Sequence, residues 1–248
     1  MRKLVIAALL AAACVPALAA ETAAAEKPDG GACSLTPAPR QKDYSWMSRA
    51  KWQQFYDDDV AVADKGGVDL LFLGDSITEM WNPEVFQRAF GGWRTANFGI
   101  GGDHTGNVLW RLQNGHAEKL HPKAVVLTIG VNNFGFCNAT PEQAYQGVKA
   151  VVEQLRKIYP DTRILLNAIL PHGQFTNSPE RSKGLALNRM VAGLNDGKHV
   201  FYQDFGLFFL QPNGDISAEV MYDFLHPTPK GFQIWADAML PAIRKLME

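Results

Sequence analysis

The sequence predicts an α/β domain, a three-layer α/β/α sandwich on a five-stranded, doubly wound parallel sheet. Three observations carry that reading. Short, nearly unbroken apolar runs recur along the chain, longer amphipathic stretches separate them, and the first three runs each lead into a turn containing Gly or Asn. Strands that are apolar throughout, rather than on alternate positions, must be covered on both faces, which is the condition of a parallel sheet with crossover helices on either side. Such crossovers are right-handed, which distributes the helices over the two faces.

The strands expected are 68–73 (VDLLFL), 95–98 (TANF), 124–129 (AVVLTI), 163–169 (RILLNAI) and 199–202 (HVFY). Helices are expected over 44–63, 84–90, 105–114, 141–159, 182–195 and 229–247. The fourth has good boundary chemistry. Thr140 can cap it, Pro141 suits a first helical position, and Glu142 places negative charge near the positive end of the dipole. In the first helix Trp46, Met47, Trp52, Phe55 and Tyr56 form an apolar side whose spacing predicts core packing rather than a ligand cage.

The N-terminus predicts a cleaved leader over 1–20. Arg2 and Lys3 precede an apolar run over 4–15, and Ala17-Leu18-Ala19 offers the small-x-small pattern of a cleavage site. The run is too short to cross a bilayer of roughly 30 Å. Cys14 lacks the Leu three positions earlier that a lipoprotein signal would carry, so the expectation is export to the periplasm or beyond without a lipid anchor. Residues 21–40, rich in Ala, Pro, Gly and Lys, read as a linker or loosely packed arm, and 41–248 as one domain. Once the leader is removed, Cys33 and Cys137 remain. In an oxidising compartment they could form a disulfide, or they could be two buried thiols. The 24 basic and 25 acidic residues are well mixed and give a net charge of −1, which predicts neither a nucleic-acid partner nor an anionic membrane surface.

Ligands of doubly wound sheets bind beyond the carboxyl ends of the strands, so residues just after each strand carry the functional expectation. After the first comes Gly74-Asp75-Ser76, where Ser76 could be a nucleophile or simply a helix cap. After the second comes Asn97-Phe98-Gly99-Ile100-Gly101-Gly102-Asp103, whose glycines allow close backbone approach to a substrate. His104 stands where a dinucleotide fingerprint would need a third small residue. After the third, Asn132 in Gly130-Val131-Asn132-Asn133 could donate to a developing negative charge, though Asn also serves turns. Before the last helix, Asp223 precedes His226 by three residues, a spacing that lets a carboxylate hold one ring nitrogen while the other accepts a proton.

Taken together, these four blocks resemble the SGNH (GDSL-type) hydrolases, over most of the chain from Val68 onward. Segments 97–103, 108–115 and 223–226 further resemble the catalytic subunits of platelet-activating factor acetylhydrolase and their bacterial relatives, although His172 stands where that subgroup has Arg after Leu170-Pro171. The resemblance implies a secreted serine esterase with Ser76 as nucleophile, His226 as base and Asp223 as its orienting acid. Its oxyanion hole would be the N–H groups of Ser76 and Gly102 and the side-chain amide of Asn132. It further implies that Ile77, Val131 and Leu225 wall a short acyl pocket, although plain packing accounts for them equally well. The expected substrate is a small-molecule or glycan ester, with an acetyl group on a carbohydrate as the leading reading. A lysophospholipase or aryl or lipid esterase is the enzymatic alternative, and a non-catalytic glycan-binding module the alternative of another class. Members of the subgroup often pair, so a homodimer is an expectation of the resemblance. No cofactor and no metal is expected: His116 and His121 are five apart, whereas a helical metal pair needs four. His104, beside the glycine loop, could contact substrate, but a plain surface-loop histidine is the leading expectation.

Overall fold

The computed structural model describes residues 29–248, and the expected leader and the first part of the arm lie outside them. Five strands, β1 (Leu70–Gly74), β2 (Thr95–Gly99), β3 (Ala124–Thr128), β4 (Arg163–Asn167) and β5 (Val200–Gln203), form one sheet in the order β2-β1-β3-β4-β5. All pairings are parallel, with Gly74 beside Gly99 on one side and Thr128 on the other. The chain leaves β1 in one direction to β2 and returns past it to β3. That reversal of order makes the crevice beyond the carboxyl ends of β1 and β3 the expected ligand position.

The helices are α1 (Gly30–Leu35), α2 (Arg49–Lys65), α3 (Ser76–Glu79), α4 (Pro83–Phe90), α5 (Thr105–Asn114), α6 (Val131–Phe136), α7 (Pro141–Ile158), α8 (Pro179–Val191) and α9 (Pro229–Met247). Residues of β1 alternate between the two faces of the sheet. Phe72 meets Trp81, Phe86 and Phe90 around α4, where Trp81 also stacks on Trp235 of α9. Leu71 and Leu73 line a small void with Leu112 of α5 and Tyr159 at the end of α7. Every residue of β1 and β3 is buried, as continuous apolar strands require.

The helix expected over 182–195 is α8, which begins three residues earlier at Pro179 and ends at Val191, and two further departures from the sequence reading bear on the site. The first long helix begins at Arg49 rather than 44, because Ser48 is extended and its Oγ accepts the Lys51 N–H at 3.1 Å. Tyr44 and Met47 close a turn before that cap, so Trp46 stands outside the helix. The described part of the arm, 29–40, is docked rather than loose. Asp29 caps α1, the Thr105 hydroxyl donates to Ser34 O at 2.7 Å, and Asn107 Nδ2 donates to Ala38 O at 2.9 Å. Cys33 and Cys137 form a disulfide with Cα atoms 5.5 Å apart, which settles the choice left open between bridge and free thiols. With 104 residues of separation, closing that loop removes unfolded-state entropy worth on the order of 4–5 kcal/mol. No helix among the described residues is long and apolar enough to cross a membrane.

Candidate active site

At the end of β1 the backbone must pass close to β3: a Cβ on Gly74 would lie 2.4 Å from Thr128 O. Asp75 follows in extended conformation and caps α3, its Oδ1 accepting the Ile77 N–H at 3.0 Å. Ser76 is therefore the first residue of a helix pointing out of the sheet. Its Oγ lies 2.8 Å from Nε2 of His226, a residue 150 positions later. On the far side of the ring, Nδ1 lies 2.7 Å from Asp223 Oδ2. A carboxylate can only accept, so Nδ1 carries the proton and Nε2 presents its lone pair to the serine hydroxyl.

Asp223 and His226 owe their mutual position to a tight loop. Phe224 sits at φ 61°, a left-handed conformation rare for a bulky side chain. The turn is held by Asp223 Oδ1, which accepts the N–H of Leu225 at 3.1 Å and of His226 at 2.7 Å, and by Phe224 O, which accepts the Gly173 N–H at 2.9 Å. Partial burial tends to raise the Asp223 pKa. The backbone N–H of His226, its ring and the Leu225 N–H outweigh that and hold the carboxyl below its ordinary range. Exposed Tyr222 stacks on the imidazole, ring centroids 5.8 Å apart.

Gly102 adopts φ 73° in the loop after β2, and a Cβ there would lie 2.4 Å from Trp46 Cη2. The loop is anchored by a buried ionic network that the sequence did not reveal. Asp103 accepts from Trp52 Nε1 at 2.7 Å, Arg111 Nε at 2.9 Å and Arg40 Nη2 at 3.4 Å. Arg111 also donates to Gly74 O at 3.1 Å and Phe98 O at 3.0 Å, so one guanidinium ties the turn that carries Ser76 to the glycine loop. Arg111 and Asp103 both lie in segments already noted for their family likeness, but nothing in their spacing tells that they meet. Asn132, near the start of α6, donates Nδ2 to Asp103 O at 3.0 Å, which brings it to the same loop as Gly102. Its other amide hydrogen is left for a further acceptor.

The three expected acyl-pocket residues separate. Ile77 and Val131 belong to the core, at 1% and 8% exposure, while Leu225 is half-buried against it. His104 is half-buried rather than on an open loop. It caps α5, Nδ1 accepting the Gly106 N–H at 3.2 Å, and burial lowers its pKa to about 4. Its ring approaches the sulfurs of Cys33 and Cys137, but those are spent in the disulfide and its Nε2 must carry the proton, so the trio offers a metal no thiolate or imidazole lone pair. His116 pairs with Asp64 at 2.7 Å on the surface.

Asp75 has a further property. Among the described residues its Oδ2 has no partner, and burial raises its pKa to about 7. A carboxyl whose folded pKa exceeds the unfolded value of about 3.9 favours the folded state below that value, and the contribution is lost as pH rises toward the folded pKa. Asp75→Asn, which keeps the Oδ1 acceptor without the ionisation, is therefore expected to gain thermal stability relative to wild type on going from pH 4 to pH 8. A melting-temperature difference independent of pH would contradict a raised pKa at Asp75.

The GDSL-like Lipase/Acylhydrolase family matches residues 72–234, a span holding every residue of this arrangement except those that precede β1. Human platelet-activating factor acetylhydrolase IB subunit alpha1 is 35% identical over 184 residues, 73% of this chain and 78% of the relative. Among solved structures, a GDSL-like lipase from Bacteroides thetaiotaomicron shares the fold with TM-score 0.61 at 19% identity, covering 79% of this chain and 98% of its own. An acetylxylan esterase from Geobacillus stearothermophilus does so with TM-score 0.58 at 20% identity, covering 72% and 94%. With the match spanning both the turn after β1 and the loop before α9, the chain belongs to the GDSL-like lipase and acylhydrolase family and is a carboxylic ester hydrolase.

Proposed function

We propose that this hydrolase is an exported serine esterase cleaving short acyl groups, acetyl above all, from an alcohol that is part of a carbohydrate. The observation that carries the chemistry is the continuous chain from Ser76 Oγ to His226 at 2.8 Å and from His226 to Asp223 at 2.7 Å. His226 Nε2 takes the Ser76 proton as Oγ attacks the ester carbonyl. The tetrahedral oxyanion is met by the N–H groups of Ser76 and Gly102 and by Asn132 Nδ2, and the alcohol departs with the proton from His226. Water, deprotonated by the same imidazole, then releases the acid and restores Ser76. An assembled base and nucleophile argue against a purely binding role.

Export is supported by the leader pattern over 1–20 together with the disulfide, which persists in oxidising compartments. The acetylhydrolase name of the human relative supports a short acyl group. So does Leu225, a branched side chain beside the base that is only half-buried.

A screen of p-nitrophenyl esters from acetate to octanoate, alongside acetylated xylose and lysophospholipid, tests the reading with Ser76→Ala as blank. Activity is expected to fall steeply with chain length and to include the acetylated sugar. A flat chain-length profile would remove the short-acyl claim, and rates no higher than the blank throughout would remove the esterase mechanism.

A further inference from the structure

The aromatic residues of 44–56 have two different fates. Trp52 is fully buried, stacked on Tyr56 and bonded to Asp103. Trp46, expected from the sequence to pack in the core with it, is instead 49% exposed in the turn before α2. Its edge rests on the glycine loop: ideal Cβ atoms on Gly102 and Gly101 would lie 2.4 Å from Cη2 and 3.7 Å from Cζ3. The indole is therefore in contact with the backbone whose N–H is assigned above to the oxyanion.

One face of that indole stacks on Tyr44, with centroids 5.2 Å apart and planes 16° from parallel. Phe136 lies 6.1 Å from Trp46 and 5.1 Å from Tyr44, and the Arg40 guanidinium 5.8 Å and 5.6 Å from the same two rings. A group on the opposite indole face would be two stacking distances from Tyr44, on the order of 9 Å or more. Phe136 and Arg40 therefore lie beside the stack, and none of the three covers the indole face turned away from Tyr44. The exposed residues that precede Trp46 in the chain are polar, Gln41, Lys42, Asp43 and Ser45, and the Lys42 ammonium lies 5.6 Å from the Tyr44 ring on which the indole stacks. An alkyl chain would call for continuous apolar walls, whereas a flat ring bordered by hydrogen-bonding groups suits a ligand with an apolar face and hydroxyl edges.

We propose that Trp46 is the stacking platform for a pyranose ring that carries the scissile ester, so that the alcohol released from the acyl group is a sugar. This rests on the esterase reading above and adds to it a residue outside the span of the family match. The Tyr44–Met47 turn and the stack on Tyr44 hold the platform in place before any ligand arrives, which lowers the ordering cost of binding.

Binding can be read without turnover. In the Ser76→Ala protein, calorimetry with methyl 2-O-acetyl-β-D-xylopyranoside is expected to show affinity roughly tenfold weaker when Trp46→Ala is added, and mostly restored by Trp46→Phe. Melting curves of the three proteins separate loss of the platform from loss of fold. In the active enzyme, the ratio of kcat/KM for that xyloside to kcat/KM for ethyl acetate should fall about tenfold in Trp46→Ala. No binding of the xyloside, equal binding with and without Trp46, or a larger Trp46 effect on lysophosphatidylcholine than on the xyloside would each overturn the proposal. Failure of the esterase reading is distinguishable, because it would show as an inactive wild type while sugar binding remained measurable.

Discussion

Ser76→Ala is expected to lower kcat toward p-nitrophenyl acetate by roughly 10⁶, and His226→Ala by a similar factor. In the proposed mechanism the two residues act as one unit: without the hydroxyl there is nothing to acylate, and without Nε2 there is nothing to take the proton. The double variant should consequently be hardly worse than either single one. Asn132→Ala should cost only about 10²–10³, because two backbone donors would still meet the oxyanion. Among the described residues the Ser76 side chain bonds only to His226, and it is half-buried, so its replacement should leave the melting temperature close to wild type. Steady-state rates of the four proteins give the ranking directly. Losses at Ser76 and Asn132 of equal size, or additive losses at Ser76 and His226, would mean that this serine is not the group attacked through.

The ease with which this site could be read from sequence depended on how local each part is. Asp223 and His226 are three residues apart in one turn, and helix α9 begins three residues later at Pro229, where the sequence places it. Helix α5 spans 105–114 as expected, between the turn at His104 and Gly115. Ser76 lies 150 residues from His226, yet the rule that ligands gather beyond the strand ends places both at the same edge of the sheet. Helices α3 and α6, of four and six residues, are too short to show a period, so only the residues they carry were visible. The docked arm and the network around Asp103 were not visible because their partners come from unrelated segments. Arg40 reaches Gly101 O across 61 positions, and Arg111 reaches Asp59 across 52. Trp46 was misplaced for a plainer reason: one extended residue, Ser48, started the helix late and freed the aromatic before it.

Asp223→Asn is expected to reduce kcat by about 10⁴ while leaving the fold intact. The amide can place its oxygen where Oδ1 accepts the N–H groups of Leu225 and His226, which preserves the turn at Phe224. That puts an NH₂ group where Oδ2 now faces His226 Nδ1. Two donors cannot face each other, so Nδ1 must give up its proton and Nε2 must carry one, toward a serine hydroxyl it can then no longer deprotonate. Asp223→Ala lacks the oxygen as well, and should lose stability in addition to rate, since the left-handed Phe224 would lose two of the bonds that hold it. The pH dependence separates charge from geometry. Because the folded pKa of Asp223 lies below the unfolded value, its contribution to stability is present above about pH 3.9 and is lost as pH falls through the folded pKa. The melting-temperature gap between wild type and Asp223→Asn should therefore narrow on acidification below about pH 4, and kcat of the variant at pH 8 within tenfold of wild type would show that His226 is oriented by something other than Asp223.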